Sequence, residues 1–328
     1  MSNDSKPRVV VAGGTGVTGL SIVDGLLRSG NYRVAVIVRS LNKPVVQDLK
    51  NRGVEILVCA DYNKATHAEL VQLLAGTDVL IATVHAFVLD AQRPLFAAAK
   101  EAGVKRVVPD DFSAHTPPGV MLMADKKHAI RDYVRELGIG YTFIEVGFWY
   151  EFVLPFPPSY AGHPYADLSH DFKGPGNVLL AVTASQSIGD FVARIISDPR
   201  TLNHTVFVWE DQVTEEMRRP RGPAAHHPQD LGRGDPGEHR RGHRGREATA
   251  GVRALNEYNR SLYVRGDNTV ENAVKDGALN AKELYPDMYP RKSIAEFAET
   301  WYPNPPYPYP EESMEQFKTL KLPAKSKD

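Results

Sequence analysis

Cysteine is almost missing from this 328-residue chain: Cys59 stands alone. No internal disulfide can form, which suits a reducing compartment. Excess charge of one sign is missing too, because the net charge is −1. No global field therefore recruits nucleic acid or an anionic membrane. Long apolar runs are absent: nowhere does the sequence collect the about 18 apolar residues that a membrane span needs. The opening Met-Ser-Asn-Asp-Ser-Lys lacks the apolar centre of a secretory signal. No His/Cys/Asp cluster has metal-ligand spacing, so no metal is expected. The expectation is a soluble, cytoplasmic protein with ordinary hydrophobic (42%) and charged (24%) contents.

What is present begins at residue 8. Arg-Val-Val-Val-Ala-Gly-Gly-Thr-Gly-Val-Thr-Gly sets an apolar strand against a glycine-rich turn that opens a helix. Gly13, Gly16 and Gly19 give the spacing G-x-x-G-x-x-G. Gly13 suits the positive φ of a tight turn. Gly16 lets the backbone approach a pyrophosphate, and Gly19 lets the helix pack closely on the sheet. The first amides of that helix, around Thr15, Val17 and Thr18, are unpaired donors at the positive end of a dipole and favour an anion. Leu20, Val23, Leu26 and Leu27 follow at helical spacing, which turns a weak motif into a dinucleotide site.

Strand and helix then alternate. Further strands are expected at 33–39, 55–59, 79–83, 106–108 and 141–146. Thr66 with Glu69 and Ser293 with Glu296 have capping-box spacing, Pro94 fits a first helical turn, and Gly103 and Gly138 suit helix ends. Lys127–Leu137 reads as one of the helices. The fold class is therefore α/β: a doubly wound, Rossmann-like parallel sheet over 1–150, with ligand outside the carboxyl ends of the strands. A smaller α/β substrate lobe is expected over 151–310 and a flexible tail over 311–328. At the end of the second strand, where NAD-binding versions usually place an acid, the chain has Arg39, with Lys43 one helical turn later. A guanidinium can clamp a 2′-phosphate, which favours NADPH; a solvated surface arginine is the plain alternative.

The G-G-T-G-V-T-G turn, Arg39, Thr83-Val84-His85 and Val107-Val108-Pro109-Asp110-Asp111-Phe112 form one set of features. Lys127 four residues before Arg131, then Gly140-Tyr141-Thr142-Phe143, form a second. Together they resemble the NmrA-like and isoflavone-reductase-like family of atypical short-chain reductases. Gly147-Phe148-Trp149-Tyr150 and Arg265-Gly266-Asp267-Asn268-Thr269 look most like its fungal branch. The resemblance covers about 7–214 and 255–302. None of the fourteen tyrosines has a lysine four residues later, so the tyrosine acid of ordinary short-chain dehydrogenases is excluded. The resemblance implies instead a lysine near the nicotinamide, which falls on Lys127 when counted back from Gly138; Lys126 is its neighbour, and a solvent-facing helix start is the alternative role. Thr83 joins Lys127 and the turn residues as a cofactor contact. Two departures bar transfer of a substrate: the plant Pro-Ser-Glu-Phe-Gly is Pro109-Asp110-Asp111-Phe112-Ser113 here, and the plant Asn-Cys-Phe is Gly147-Phe148-Trp149.

Phe148, Trp149, Tyr150, Phe152, Phe156 and Tyr160 either wall a flat substrate or pack the core. His85 and His163 are candidate polar contacts, and the pocket is expected from His85, Phe148, Trp149 and Phe152. Residues 218–246 break the pattern: eight of the 29 are arginine and Leu231 is the one large aliphatic. Such a stretch cannot bury a core. A frameshifted stretch of the gene, a genuine disordered insertion and a basic arm are the three readings, and sequencing the transcript separates the first from the others. The leading expectation is an NADPH-dependent reductase of a small aromatic or secondary-metabolite substrate. The alternative is a cofactor-sensing regulator with a protein partner; a homodimer is compatible with either.

Overall fold

A computed structural model describes residues 5–160, 169–170, 172–217 and 250–305. The expectations for 218–246, His163 and 311–328 lie outside the described residues. β1 (Arg8–Ala12), β2 (Arg33–Val38), β3 (Glu55–Val58), β4 (Val79–Ala82) and β5 (Arg106–Val108) form a parallel sheet in the order β3-β2-β1-β4-β5. A parallel bridge between Val107 and Tyr141 leads on to β6 (Thr142–Glu145), which pairs in parallel with β9 (His204–Phe207) and, beyond it, β11 (Leu279–Asn280). Residues from the second half of the chain thus extend the sheet begun by the first. A second, three-stranded sheet joins β7 (Phe148–Trp149), β8 (Leu180–Thr183) and β10 (Asp211–Val213).

The strand period of two sorts apolar side chains onto opposite faces. Val9, Val11, Val34, Val36 and Val38 enter one core with α1 (Val17–Ser29) and α7 (Ile188–Ile195). Val10, Ala12, Ala35 and Ile37 enter the other, with α4 (Arg93–Glu101) and α5 (Leu122–Leu137). Both faces are covered, which explains why the strands read as continuous apolar runs. The parallel α/β architecture is as expected. On the first face Gly25 of α1 and Gly189 of α7 meet backbone to backbone: a Cβ on either would lie well inside the distance that real Cβ atoms keep.

Both capping boxes form, at Thr66 with Glu69 and at Ser293 with Glu296. One boundary differs from expectation. α5 starts at Leu122, more than a turn before Lys127, because its first amide donates to Glu257 Oε2 at 2.9 Å. Glu257 belongs to α8 (Ala250–Asn259), so the cap comes from far along the chain and no local signal announces it.

Candidate cofactor and active site

Strand order reverses between β1 and β4, and the glycine turn sits at that point. Gly13 has φ +82°, and a Cβ there would strike the carbonyl of Thr83, whose own amide and Oγ1 donate to Ala12 O at 2.8 and 3.0 Å. Gly19 needs its bare Cα for a reason other than the expected helix–sheet packing, since its Cβ would strike Gly13 O within the turn itself. Gly16 is different again. A Cβ there would meet only Gly13 O, at 3.5 Å, and φ is an ordinary −83°. Gly16 is the N-cap of α1, with no side chain capping the helix and no acid in its first turn. The opening amides of α1 therefore face outward with no side-chain acceptor, a cradle suited to a pyrophosphate.

Arg39 follows β2 and is exposed beside the turn; its charge reaches the Tyr62 hydroxyl, which burial nonetheless pushes up to about 12. Lys43 is the N-cap of α2 (Pro44–Asn51) and is exposed. His85 lies half-buried beyond β4, and burial lowers its pKa, so the ring is neutral at physiological pH. The 3₁₀ turn after it, Ala86–Gln92, ends on Gln92, whose Oε1 accepts from the Asp110 amide at 3.0 Å.

Lys127 is buried, at 8% exposure, whereas Lys126 is half-buried. Among the described residues no acceptor lies within hydrogen-bonding distance of Lys127 Nζ. Asp110 stands in its field, and burial pushes the Asp110 carboxyl up to about 6 against the pull of that ammonium. Arg131, one turn on, is committed elsewhere. Its Nε donates to Asp111 Oδ2 and its Nη2 to Glu145 Oε1, both at 2.6 Å. Glu145 Oε2 lies 2.8 Å from His115 Nδ1, and His115 Nε2 lies 3.0 Å from Asp276 Oδ2. Burial would neutralise both groups, yet Arg131 and His115 hold the Glu145 carboxyl low, and Glu145 and Asp276 hold the His115 imidazole above its ordinary value. A separate groove of about 480 Å³ borders this chain of charges, away from the glycine turn.

The aromatic run divides. Tyr150, Phe156 and Tyr160 are buried in the core of the smaller sheet with α11 (Ile294–Trp301). Phe148, Trp149 and Phe152 are half-buried and lie together, Phe148 and Trp149 with ring centres 6.0 and 5.8 Å from Phe152. Tyr258 of α8 joins them, 6.2 Å from Phe148. Residue-by-residue reading missed Tyr258; nothing near it in sequence indicates that α8 folds back onto α5.

Residues 5–214 match the NmrA-like family. The chain belongs to that family. It is 35% identical to an asnovolin J 5′,6′-dehydrogenase of Aspergillus novofumigatus, over 85% of this chain and 91% of that protein. It is 27% identical to a phenylcoumaran benzylic ether reductase of Betula pendula, over 86% and 95% of the respective chains. The leucoanthocyanidin reductase–NADPH complex of Vitis vinifera shares the fold, with TM-score 0.69 and 20% identity over 90% of this chain and all of that one. The family resemblance expected from the motifs is thereby shown. Among the described residues no helix is long and apolar enough to cross a membrane.

Proposed function

We propose that this family member is an NADPH-dependent reductase of a small aromatic or secondary-metabolite molecule, acting at an electron-poor carbon. The observation that carries the reading is Lys127, 8% exposed, whose Nζ bonds no described residue while its charge reaches Asp110 and the Tyr258 hydroxyl, in a site that also holds the half-buried Phe148. An ammonium with its donors uncommitted to protein can offer them to a ligand. The cofactor would lie on the uncapped amides of α1, over Gly16, with Arg39 and Lys43 at the 2′-phosphate and Thr83 at the strand end. Once bound, it supplies a hydride. The chain's own part is to exclude water with Phe148, Trp149 and Phe152, to orient the ring of the substrate, and to hold a proton at Lys127 Nζ for the oxygen that gains charge. The fungal relative is named a dehydrogenase and the plant relative a reductase, and both names denote redox chemistry on a small molecule.

The test is turnover of a panel of aromatic carbonyls, enones and benzylic ethers, read as NADPH oxidation, with Lys127→Ala alongside. The variant is expected to lose about 10²–10⁴-fold in kcat, the range of a positioned acid–base group, while its Kd for NADPH stays within a few-fold. Lys126→Ala should change neither. Tight NADPH binding with no turnover across the panel would overturn the enzyme reading in favour of a cofactor sensor.

A further inference from the structure

We infer that Tyr258 is a further catalytic residue, the phenol that hands its proton to the substrate oxygen at the site where Lys127 lies. The inference rests on the reductase reading above and adds a residue to it. Tyr258 packs against both the α4–α5 core and the core of the smaller sheet, so it stands where the two halves of the molecule meet. Its ring lies 6.2 Å from Phe148, on the half-buried aromatic wall. Its helix is tied to the start of α5 by Glu257, whose Oε2 accepts from Leu122 N at 2.9 Å while its Oε1 accepts from Arg253 Nε at 2.6 Å. That tie fixes the distance between the Tyr258 helix and the Lys127 helix.

The hydroxyl lies beside Ser113 and within the fields of Lys127, Asp110 and Asp111. Burial, helped by Asp110, raises the phenol pKa and outweighs Lys127, so the proton stays on at neutral pH, where a donor must carry it. Tyr-x-x-x-Lys is absent from the sequence, yet the fold brings the Tyr258 hydroxyl within the field of Lys127, a lysine 131 residues earlier in the chain.

In the step, a hydride from the nicotinamide forms a C–H bond at the electron-poor carbon, and the π pair moves to the substrate oxygen. The Tyr258 O–H bond breaks as the substrate O–H bond forms. The proton held at Lys127 Nζ passes to the resulting phenolate, so that Tyr258 relays it to the substrate oxygen, and water returns a proton to the lysine. The substrate gains two electrons, which the dinucleotide loses.

Tyr258→Phe removes only the oxygen and keeps the ring against Phe148, so the fold should hold. The decisive readout needs no turnover: label tyrosine with ¹³C at Cζ, assign the Tyr258 signal by its loss in Tyr258→Phe, and follow its titration with and without NADP⁺. The positively charged nicotinamide should move that titration to lower pH by about one unit, and Lys127→Met should move it up by a similar amount. With benzylideneacetone as the enone probe, Tyr258→Phe should lower kcat by about 10²-fold or more and leave the NADPH Kd within two-fold. If NADP⁺ binds and the Tyr258 signal does not respond, or if the variant reduces the enone at the parent rate, the Tyr258 assignment alone is overturned. If NADP⁺ fails to bind, the cofactor reading falls and this inference falls with it.

Discussion

Gly16→Ala separates ligand space from protein space. The substitution adds one methyl group at φ −83°, where no backbone strain arises and the nearest protein atom is Gly13 O at 3.5 Å. A glycine-to-alanine change at a compatible φ gains about 0.4–1 kcal/mol through the unfolded chain, and alanine's poorer N-capping at this position offsets a similar amount. The melting temperature should therefore change little. The methyl occupies the approach to the α1 amides, so a pyrophosphate displaced by it loses one charge-assisted hydrogen bond or more. Each is worth about 1.5–3 kcal/mol, which predicts NADPH binding weaker by roughly 10- to 100-fold. Gly19→Ala should do the opposite. Its methyl is forced into the Gly13 carbonyl, an overpacking that typically costs about 1–3 kcal/mol. At about 2.1 cal/mol/K per residue over 328 residues, that lowers Tm by roughly 1.5–4.4 °C. Calorimetric melting and NADPH titration on both variants give the comparison. Parent-like NADPH affinity in Gly16→Ala, or a Tm loss equal to that of Gly19→Ala, would refute the assignment of Gly16 to ligand space.

Other expectations are equally direct. Arg39→Ala should weaken NADPH binding by about 10- to 100-fold and leave NADH nearly unchanged, because only the 2′-phosphate loses a partner; equal effects on the two cofactors in a titration would remove Arg39 from the site. Stability should fall at both ends of the pH scale for the buried charge chain. Glu145 is held below its unfolded value of about 4.3, so its contribution is present above that pH and fades as pH drops through the depressed folded value. His115 is held above about 6.5, so its contribution is complete below that pH and is lost as pH rises through the raised folded value. Urea midpoints from pH 4 to 9 should therefore lose their alkaline fall in His115→Gln, and an unchanged alkaline slope would show that His115 is not charged in the native state. Glu145→Gln leaves Arg131 and His115 short of a buried counter-charge, for which about 3–5 kcal/mol is the usual cost; a loss under 1 kcal/mol by denaturant titration would contradict that pairing.

Local signals proved legible where the physics is local. The glycine turn, the strand period and the two capping boxes each depend on residues within a few positions of one another, and each stands where the sequence places it. The start of α5 was hidden because its cap, Glu257, arrives through tertiary structure. The two-residue strand β11 carries too few side chains to show a period, so its place at the edge of the main sheet had no sequence mark. The aromatic run left core and wall as open alternatives because neighbouring rings on a short strand and a single helical turn point both ways. Packing decides: Tyr150 is fully buried, whereas Phe148 and Trp149 are not. Asp110 was visible only as a departure from the plant sequences. Its raised carboxyl could be recognised only once the fold was seen to bury it, against the pull of Lys127.

The bare-backbone contact between Gly25 and Gly189 has a consequence for synthesis. The apolar flank of α1, with Ile22 and Leu26 fully buried in the finished protein, waits for α7 before it can be covered. Translation at about 5–20 residues per second puts α7 on the order of ten seconds or more behind α1. For that interval the nascent glycine turn is mounted on a helix that the first-half strands cover on one side and that still lacks its α7 neighbour. A ribosome stalled before residue 188 should hold a chain that chaperones bind.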